Sequence, residues 1–205
     1  IISTLPPLHT PRWLRGGNIE TLYAKSLQPT PPAYRRELLP DSTGQTLVAY
    51  DFIDSPRADA PLLVLFHGLE GSSQSHYAQA FAHVAQRRGW RMALPHFRGC
   101  SGELNRAPRA YHSGDWQEID WVLQRMKAQH TGPLFAVGVS LGGNALMRWA
   151  GELGEAARSR VHAVASICST QPRGCSRRAR LRHSALGILT VMQRRPSCRG
   201  HLRDQ

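Results

Sequence analysis

The feature that most constrains this chain is the segment Gly138-Val139-Ser140-Leu141-Gly142-Gly143 together with its two flanks. Before it, residues 134–138 form a short run of small and apolar residues, as in a buried strand. After it, apolar residues recur at helical spacing, at Leu141, Ala145, Leu146, Trp149 and Leu153. A strand, a tight turn with serine at its apex and a helix form the context in which Gly-x-Ser-x-Gly presents a reactive serine.

The glycines of this turn have a steric role. A side chain at Gly138 or Gly142 would collide with the neighbouring strand or helix in so sharp a bend, and Gly143 extends the same turn. We therefore predict that Ser140 stands at the end of a sheet as a candidate nucleophile. The N–H of Leu141, at the start of the helix, is a candidate oxyanion donor. The alternative is a glycine-rich turn whose serine caps a helix.

A second glycine-containing loop follows the apolar run at residues 61–66, which is typical of a strand covered on both faces. The loop reads His67-Gly68-Leu69-Glu70-Gly71. With Gly68 and Gly71 turning the backbone at the carboxyl end of the sheet, the N–H of Leu69 is the predicted second oxyanion donor. We interpret His67 as a residue that shapes the loop rather than as a proton carrier.

The remaining pattern predicts the fold class. Predicted strands cover residues 36–39, 46–53, 61–66, 90–95, 134–138 and 161–167, and predicted helices cover residues 76–88, about 115–126 and 141–153. The first helix is expected to bury Tyr77, Phe81, Val84 and Ala85. Strands and helices alternate from residue 61 to residue 167, which predicts an α/β fold with a mostly parallel sheet and helices on both faces.

Charge and composition exclude several classes of function. The formal net charge is +12, but residues 171–205 contribute +8 of it through nine Arg and one Asp. The basic stretch lacks interleaved aromatic residues, so we do not expect nucleic-acid binding. No apolar run reaches the ~20 residues of a membrane span, and the first residues lack a signal-peptide pattern, so a cytoplasmic location is expected. The four cysteines have no metal-site spacing, and we expect neither a metal nor an organic cofactor.

Four segments, in the right order, carry a family resemblance: PRWLRGGNIETLY, HGLEGSSQSHY, HFRGCSGELNRAPRAYHSGD and GVSLGGNALMRWAGE. Together they resemble the YheT-like hydrolases of the α/β-hydrolase fold, which are relatives of abhydrolase-domain esterases and monoacylglycerol lipases. The resemblance implies a serine hydrolase of short-chain carboxylic esters or monoacylglycerols that needs no cofactor. It implies Ser140 as the nucleophile and the N–H groups of Leu69 and Leu141 as oxyanion donors.

The resemblance also divides the chain. Residues 1–36 form a proline-rich segment expected to pack on the domain, and residues 37–168 form the N-terminal portion of an α/β-hydrolase domain. Residues 169–205 form an arginine-rich tail unlike the family, which we expect to be disordered. A frameshift near codons 168–171 would explain such a tail, and a genuine divergent tail is the alternative. The sequence does not indicate an oligomeric state.

The catalytic partners of the serine are the main departure from the family. In this fold the triad acid and then the histidine follow the serine along the chain. Downstream of Ser140, Asp204 comes after His162, His183 and His201, which is the reverse of that order. We therefore expect the triad Asp and His to be absent from this chain, which would be truncated after about residue 168. A catalytically impaired or non-enzymatic pseudo-hydrolase and an acyltransferase on the same fold remain alternatives.

Overall fold

The computed structural model describes residues 31–108 and 110–169, together with the backbone of residues 187–191. Its strands are β1 (Arg35–Pro40), β2 (Leu47–Ile53), β3 (Leu62–Phe66), β4 (Arg91–Pro95), β5 (Leu134–Val139), β6 (Ala163–Ile167) and β7 (Gly187–Val191). Its helices are α1 (His76–Arg87), α2 (Trp116–Ala128) and α3 (Leu141–Leu153), and a 3₁₀ helix (Gly154–Ser159) follows α3. The strands and helices predicted from the sequence agree with these bounds to within about two residues.

The described strands form one sheet in the order β1-β2-β4-β3-β5-β6-β7. β1 and β2 form an antiparallel hairpin, and β2 pairs antiparallel with β4. The pairs from β4 through β3, β5 and β6 to β7 are parallel. This confirms the predicted α/β fold with a mostly parallel sheet. Since the pairing of β3 with β5 ends at Phe66 and Gly138, the loops that follow the two strands leave the sheet side by side.

Helices cover both faces of the sheet because the central strands are apolar on both sides. On β3, Leu62, Val64 and Phe66 pack in one cluster with the buried faces of α2 and α3. Leu63 and Leu65 point to the other face, where they pack with the buried alanines of α1. This alternation follows from the two-residue period of a strand. With both faces of the sheet covered by helices, the two loops emerge at the carboxyl ends of β3 and β5.

The buried face of α1 differs from the prediction by one residue position. The residues it buries against the sheet are the small Ala78, Ala82 and Ala85, together with Gln79. Val84, expected in the core, is 38% exposed. The prediction was wrong at Val84 because the largest apolar side chains dominate an amphipathic pattern, whereas close helix–sheet contact favours small side chains. Tyr77 and Phe81 pack at the margin of the cluster.

Part of the tail forms a strand where the sequence analysis expects disorder. Residues 187–191, Gly-Ile-Leu-Thr-Val, form β7 and pair in parallel with β6 from Ala163 to Ile167. A short run with β-branched residues fits an open parallel edge, so the expectation is wrong for these five residues. The expectations for residues 1–30 and for the rest of the tail lie outside the described residues. No helix in the described ranges is long and apolar enough to cross a membrane.

Candidate active site

Ser140 occupies the sharp turn between β5 and α3. Its side chain is exposed, and its backbone has φ 52° and ψ −113°, a region that residues with a side chain rarely adopt. A Cβ atom built on Gly138 would lie 2.5 Å from the Gly142 carbonyl oxygen, and one built on Gly142 would lie 2.5 Å from the carbonyl oxygens of Phe66 and His67. The turn therefore requires glycine at both positions, as the sequence analysis predicted.

The loop after β3 runs directly beside this turn. A Cβ atom built on Gly68 would lie 3.4 Å from the Ser140 Cβ, and one built on Gly71 would lie 2.5 Å from the Tyr77 hydroxyl. A Cβ atom built on Gly143, one residue further into α3, would clash with the Ser166 hydroxyl at 2.6 Å. The glycines singled out in the sequence thus lie at the closest approaches between the two loops and their surroundings.

Most backbone N–H groups of the loop after β3 donate within the protein. The Gly68 N–H donates to the Tyr77 hydroxyl at 3.0 Å, and the Gly71 N–H donates to the Gly68 carbonyl at 3.0 Å. The Glu70 N–H donates to the Tyr111 hydroxyl at 3.4 Å. The N–H of Leu69, which lies between Gly68 and Glu70 in the chain, has no acceptor among the described residues.

The turn at Ser140 shows the same pattern. The Ser140 N–H donates to the Ile167 carbonyl at 2.9 Å, and the Gly142 N–H donates to the His67 carbonyl at 3.1 Å. Within the part of the chain that the structure describes, the Leu141 N–H between them has no acceptor. Within residues 68–71 and 140–142, the N–H groups without an acceptor among the described residues are thus those of Leu69 and Leu141, the two groups predicted as oxyanion donors.

His67 is buried and uses both ring nitrogens within the protein. Its Nε2 accepts the Phe97 N–H at 2.9 Å, so the proton of the neutral ring lies on Nδ1 and is donated to the Gly68 carbonyl at 2.7 Å. Burial lowers the pKa of His67 to about 4. The ring thus stays neutral and orients the loop, which agrees with its interpretation as a loop-shaping residue.

A second buried histidine pairs with a carboxylate, which the sequence analysis did not foresee. His96 Nε2 lies 2.8 Å from Asp51 Oδ2, and Arg36 bonds both oxygens of Asp51 at 2.7 and 2.8 Å. Burial alone would raise the pKa of Asp51, but the hydrogen bonds from Arg36 and His96 outweigh it and hold that pKa well below its usual range. The His96 and Asp51 side chains are almost fully enclosed, so this pair joins β2 to the end of β4.

Arg98 forms the other unforeseen cluster. Its guanidinium lies 2.7 Å from the Asp41 carboxylate, 2.6 Å from that of Glu118 and 3.6 Å from that of Asp115, and all four side chains are buried. Burial lowers the pKa of Arg98 less than the carboxylates raise it. The cluster fixes the turn after β1, the loop after β4 and the start of α2 to one another. No local pattern in the sequence predicts these contacts, because Arg98 and its carboxylate partners are far apart along the chain.

Two described histidines beyond the loop after β4 accept hydrogen bonds from the backbone. His112 is exposed, and its Nδ1 accepts the Gly114 N–H at 3.1 Å, just before α2. His162 Nδ1 accepts the Leu134 N–H at 3.1 Å, at the amino end of β5 and away from Ser140. Across residues 31–108 and 110–169, no histidine nitrogen hydrogen-bonds to the Ser140 hydroxyl. Cys100 is half-buried, and burial raises the pKa of its thiol.

Comparison with known proteins identifies the same architecture. A sequence profile of the alpha/beta hydrolase fold matches residues 61–194. The match runs through β7, past residue 168, where the resemblance by motif ends. In the solved structure of XC6422 from Xanthomonas campestris, described as an a/b serine hydrolase without lid, 72% of the chain superposes on 80% of this one with a TM-score of 0.55. The two sequences are 18% identical, so this likeness shows the fold alone.

Two curated relatives are similar in sequence. "Putative esterase YheT" of Escherichia coli is 43% identical over 123 residues, which are 56% of this chain and 34% of that protein. The human protein named phospholipase ABHD3 is 28% identical over 151 residues, which are 69% of this chain and 37% of that protein. This chain therefore spans about a third of the length of these curated relatives. The resemblance inferred from the four sequence segments is confirmed.

Proposed function

Because the chain belongs to the α/β-hydrolase fold family, we propose that it carries the nucleophile and the oxyanion hole of a serine hydrolase that cleaves carboxylic esters. The observation that supports this is the pattern of backbone N–H groups. Near an exposed Ser140, the amides directly before and after Leu69 and Leu141 bond within the protein, whereas those of Leu69 and Leu141 have no acceptor among the described residues. Free N–H groups beside a serine are suited to a developing oxyanion.

In this proposal the Ser140 oxygen attacks the carbonyl carbon of an ester. As the tetrahedral intermediate forms, the carbonyl oxygen takes the negative charge and accepts hydrogen bonds from the N–H groups of Leu69 and Leu141. The carbon–oxygen bond to the alcohol then breaks, the departing oxygen takes up the proton that the Ser140 hydroxyl has lost, and an acyl group remains on Ser140. Water adds to this ester and releases the carboxylic acid, which frees the serine.

The substrate class follows from the openness of the site and from the names of the relatives. Ser140 is exposed and Leu69 is 67% exposed, so residues 31–108 and 110–169 leave the serine accessible. The relatives are named as an esterase and a phospholipase. These points support a carboxylic ester as the substrate class, within which the family resemblance implies short-chain esters or monoacylglycerols.

A pseudo-hydrolase is the second candidate, and one observation favours it. No histidine among the described residues hydrogen-bonds to the Ser140 hydroxyl. Removing the base from a serine triad lowers turnover by about 10⁶-fold, while the oxyanion hole and substrate binding alone retain about 10³- to 10⁴-fold over water. A chain without a base would bind an ester and turn it over slowly.

Two measurements on the purified chain separate these candidates. The first is mass-spectrometric detection of a fluorophosphonate adduct on the peptide that contains Ser140, and the second is hydrolysis of p-nitrophenyl acetate and butyrate. Ser140→Ala should abolish both signals, whereas Ser159→Ala, at an exposed serine outside the site, should leave them unchanged. An adduct with little turnover identifies the pseudo-hydrolase. Hydrolysis that survives in Ser140→Ala would contradict the nucleophile assignment.

The same assay also tests an acyltransferase. The acyl group on Ser140 can pass to an alcohol as well as to water, because either acceptor reaches an open site. Adding ethanol and measuring the ethyl ester by gas chromatography gives the partition between the two products. A hydrolase should release mainly the free acid, and predominance of the ethyl ester at low ethanol would identify a transferase.

A further inference from the structure

Two tyrosine hydroxyls contact the backbone on either side of Leu69. Tyr77, in the first turn of α1, accepts the Gly68 N–H at 3.0 Å. Tyr111, in the loop before α2, accepts the Glu70 N–H at 3.4 Å and donates its own proton to the Glu70 carboxylate at 3.2 Å. The two peptide groups that flank the Leu69 N–H are thus fixed from two different parts of the chain.

The peptide group of Leu69 itself is held through its carbonyl end. The Leu69 N–H and the Gly68 carbonyl belong to one planar unit and point in opposite directions. The Gly68 carbonyl accepts the His67 Nδ1–H at 2.7 Å and the Gly71 N–H at 3.0 Å. Fixing the carbonyl on one side therefore fixes the direction of the N–H on the other.

This loop conformation needs support because it is strained. Glu70 has φ 53°, and a residue with a side chain rarely keeps such a left-handed backbone unless its surroundings enforce it. The two hydrogen bonds between Glu70 and Tyr111 are the contacts that the structure supplies there. Without them, Glu70 would be free to relax toward negative φ and turn the adjoining peptide groups.

The two tyrosines are themselves held in place. The Tyr111 ring stacks on Phe97 with centroids 5.2 Å apart and planes 8° apart, and the Phe97 N–H donates to His67 Nε2. Tyr77 packs against the cluster on the α1 face of the sheet, and its hydroxyl fills the space that a Cβ atom on Gly71 would occupy. Both hydroxyls therefore stand on rigid supports outside the loop.

We propose that Tyr77 and Tyr111 are positioning residues of the oxyanion hole, whose hydroxyls hold the flanking peptide groups so that the Leu69 N–H is oriented before a substrate binds. The inference rests on the proposed function, since it takes Leu69 as an oxyanion donor. A donor aligned in advance needs no reorganisation as charge develops. Neither tyrosine needs to touch the substrate for this role.

The test uses Tyr77→Phe, Tyr111→Phe and the double variant of the full chain, because phenylalanine removes only the hydroxyl. Tyr34→Phe is the matched control, since the buried Tyr34 hydroxyl has no hydrogen-bond partner among the described residues. We expect the second-order rate of fluorophosphonate labelling at Ser140 to fall about 10-fold in each single variant and about 100-fold in the double variant. Where ester turnover is measurable, kcat should fall while KM stays constant.

Amide hydrogen exchange at residues 68–71 provides a readout that does not depend on reactivity. The variants should exchange faster there than the unsubstituted chain, by more than any fall in the urea midpoint explains, whereas Tyr34→Phe should not. Unchanged exchange and unchanged labelling in the double variant would overturn the inference. If the unsubstituted chain forms no adduct at Ser140, the proposed function fails, and the exchange rates still decide whether the tyrosines hold the loop.

Discussion

Mild acid is expected to destabilise the fold through His67. The ring is buried, and its pKa of about 4 in the folded protein lies below the ordinary value of 6.5. Between these pH values His67 is protonated in the unfolded chain and neutral in the folded protein. Its contribution to the unfolding free energy is therefore fully present above about pH 6.5 and is lost as the pH falls toward 4. With 1.36 kcal/mol per pKa unit, lowering the pH from about 7.5 to about 5.5 should cost about 1.3 kcal/mol of unfolding free energy.

Urea unfolding followed by tryptophan fluorescence at several pH values measures this cost. His130 is also buried, and burial lowers its pKa in the same direction, so a His130→Asn background removes that contribution from the comparison. Asp41 and Asp51 do not interfere in this range. The pKa values of Asp41 and Asp51 are lowered from 3.8, and the stability they contribute is lost only at more acidic pH.

A direct titration completes the test. In an NMR titration, the His67 ring signals should stay at their neutral positions down to about pH 5. Equal stability at about pH 7.5 and about pH 5.5 in the His130→Asn background, or a His67 ring that titrates near 6.5, would refute the reasoning. It would mean that the ring reaches solvent or that its two hydrogen bonds with the backbone are not maintained.

Two other paired substitutions test packing and charge, both by urea unfolding. Gly142→Ala should lower the unfolding free energy by at least about 1–3 kcal/mol, since its Cβ atom would meet two carbonyl oxygens at 2.5 Å. Gly151→Ala, where a Cβ atom has nothing within 4 Å, should raise it by about 0.5–1 kcal/mol. Equal effects would contradict the geometry of the turn at Ser140. Arg98→Met leaves buried carboxylates without their cation and should lower the unfolding free energy by about 3–5 kcal/mol. Arg57→Met removes an exposed ion pair and should lower it by only about 0–1 kcal/mol. A similar small loss in both variants would contradict the buried cluster.

The sequence predicted the strands and helices because their signals are local. The run of apolar residues in β5, the glycines around Ser140 and the spacing of α3 lie within about 20 residues of one another, so one pattern contains the whole turn. The loop after β3 was predicted for the same reason. The neighbouring position of β3 and β5 in the sheet then brought the two loops together.

Contacts between distant residues were not predictable in this way. Arg98 bonds Asp41, 57 residues earlier, and His96 bonds Asp51, 45 residues earlier. No local sequence pattern identifies these residues as contact partners. Each pair forms only because β2 and β4 lie side by side in the sheet. Tyr111 likewise reaches Glu70 from 41 residues away, so its contact with the loop after β3 became visible only in the folded structure.

The parallel pairing of β3 with β5 also has a consequence for how the protein reaches its native state. Leu69 and Leu141 are separated by about 70 residues, so closing the chain between them has an entropic cost that the local β1–β2 hairpin does not bear. During refolding, the hairpin can form early, whereas the two N–H groups meet only once the centre of the sheet has assembled. If Ser140 is labelled by a phosphonate, recovery of that labelling should therefore follow assembly of the central sheet rather than formation of the hairpin, which would make Ser140 a kinetic reporter of sheet assembly.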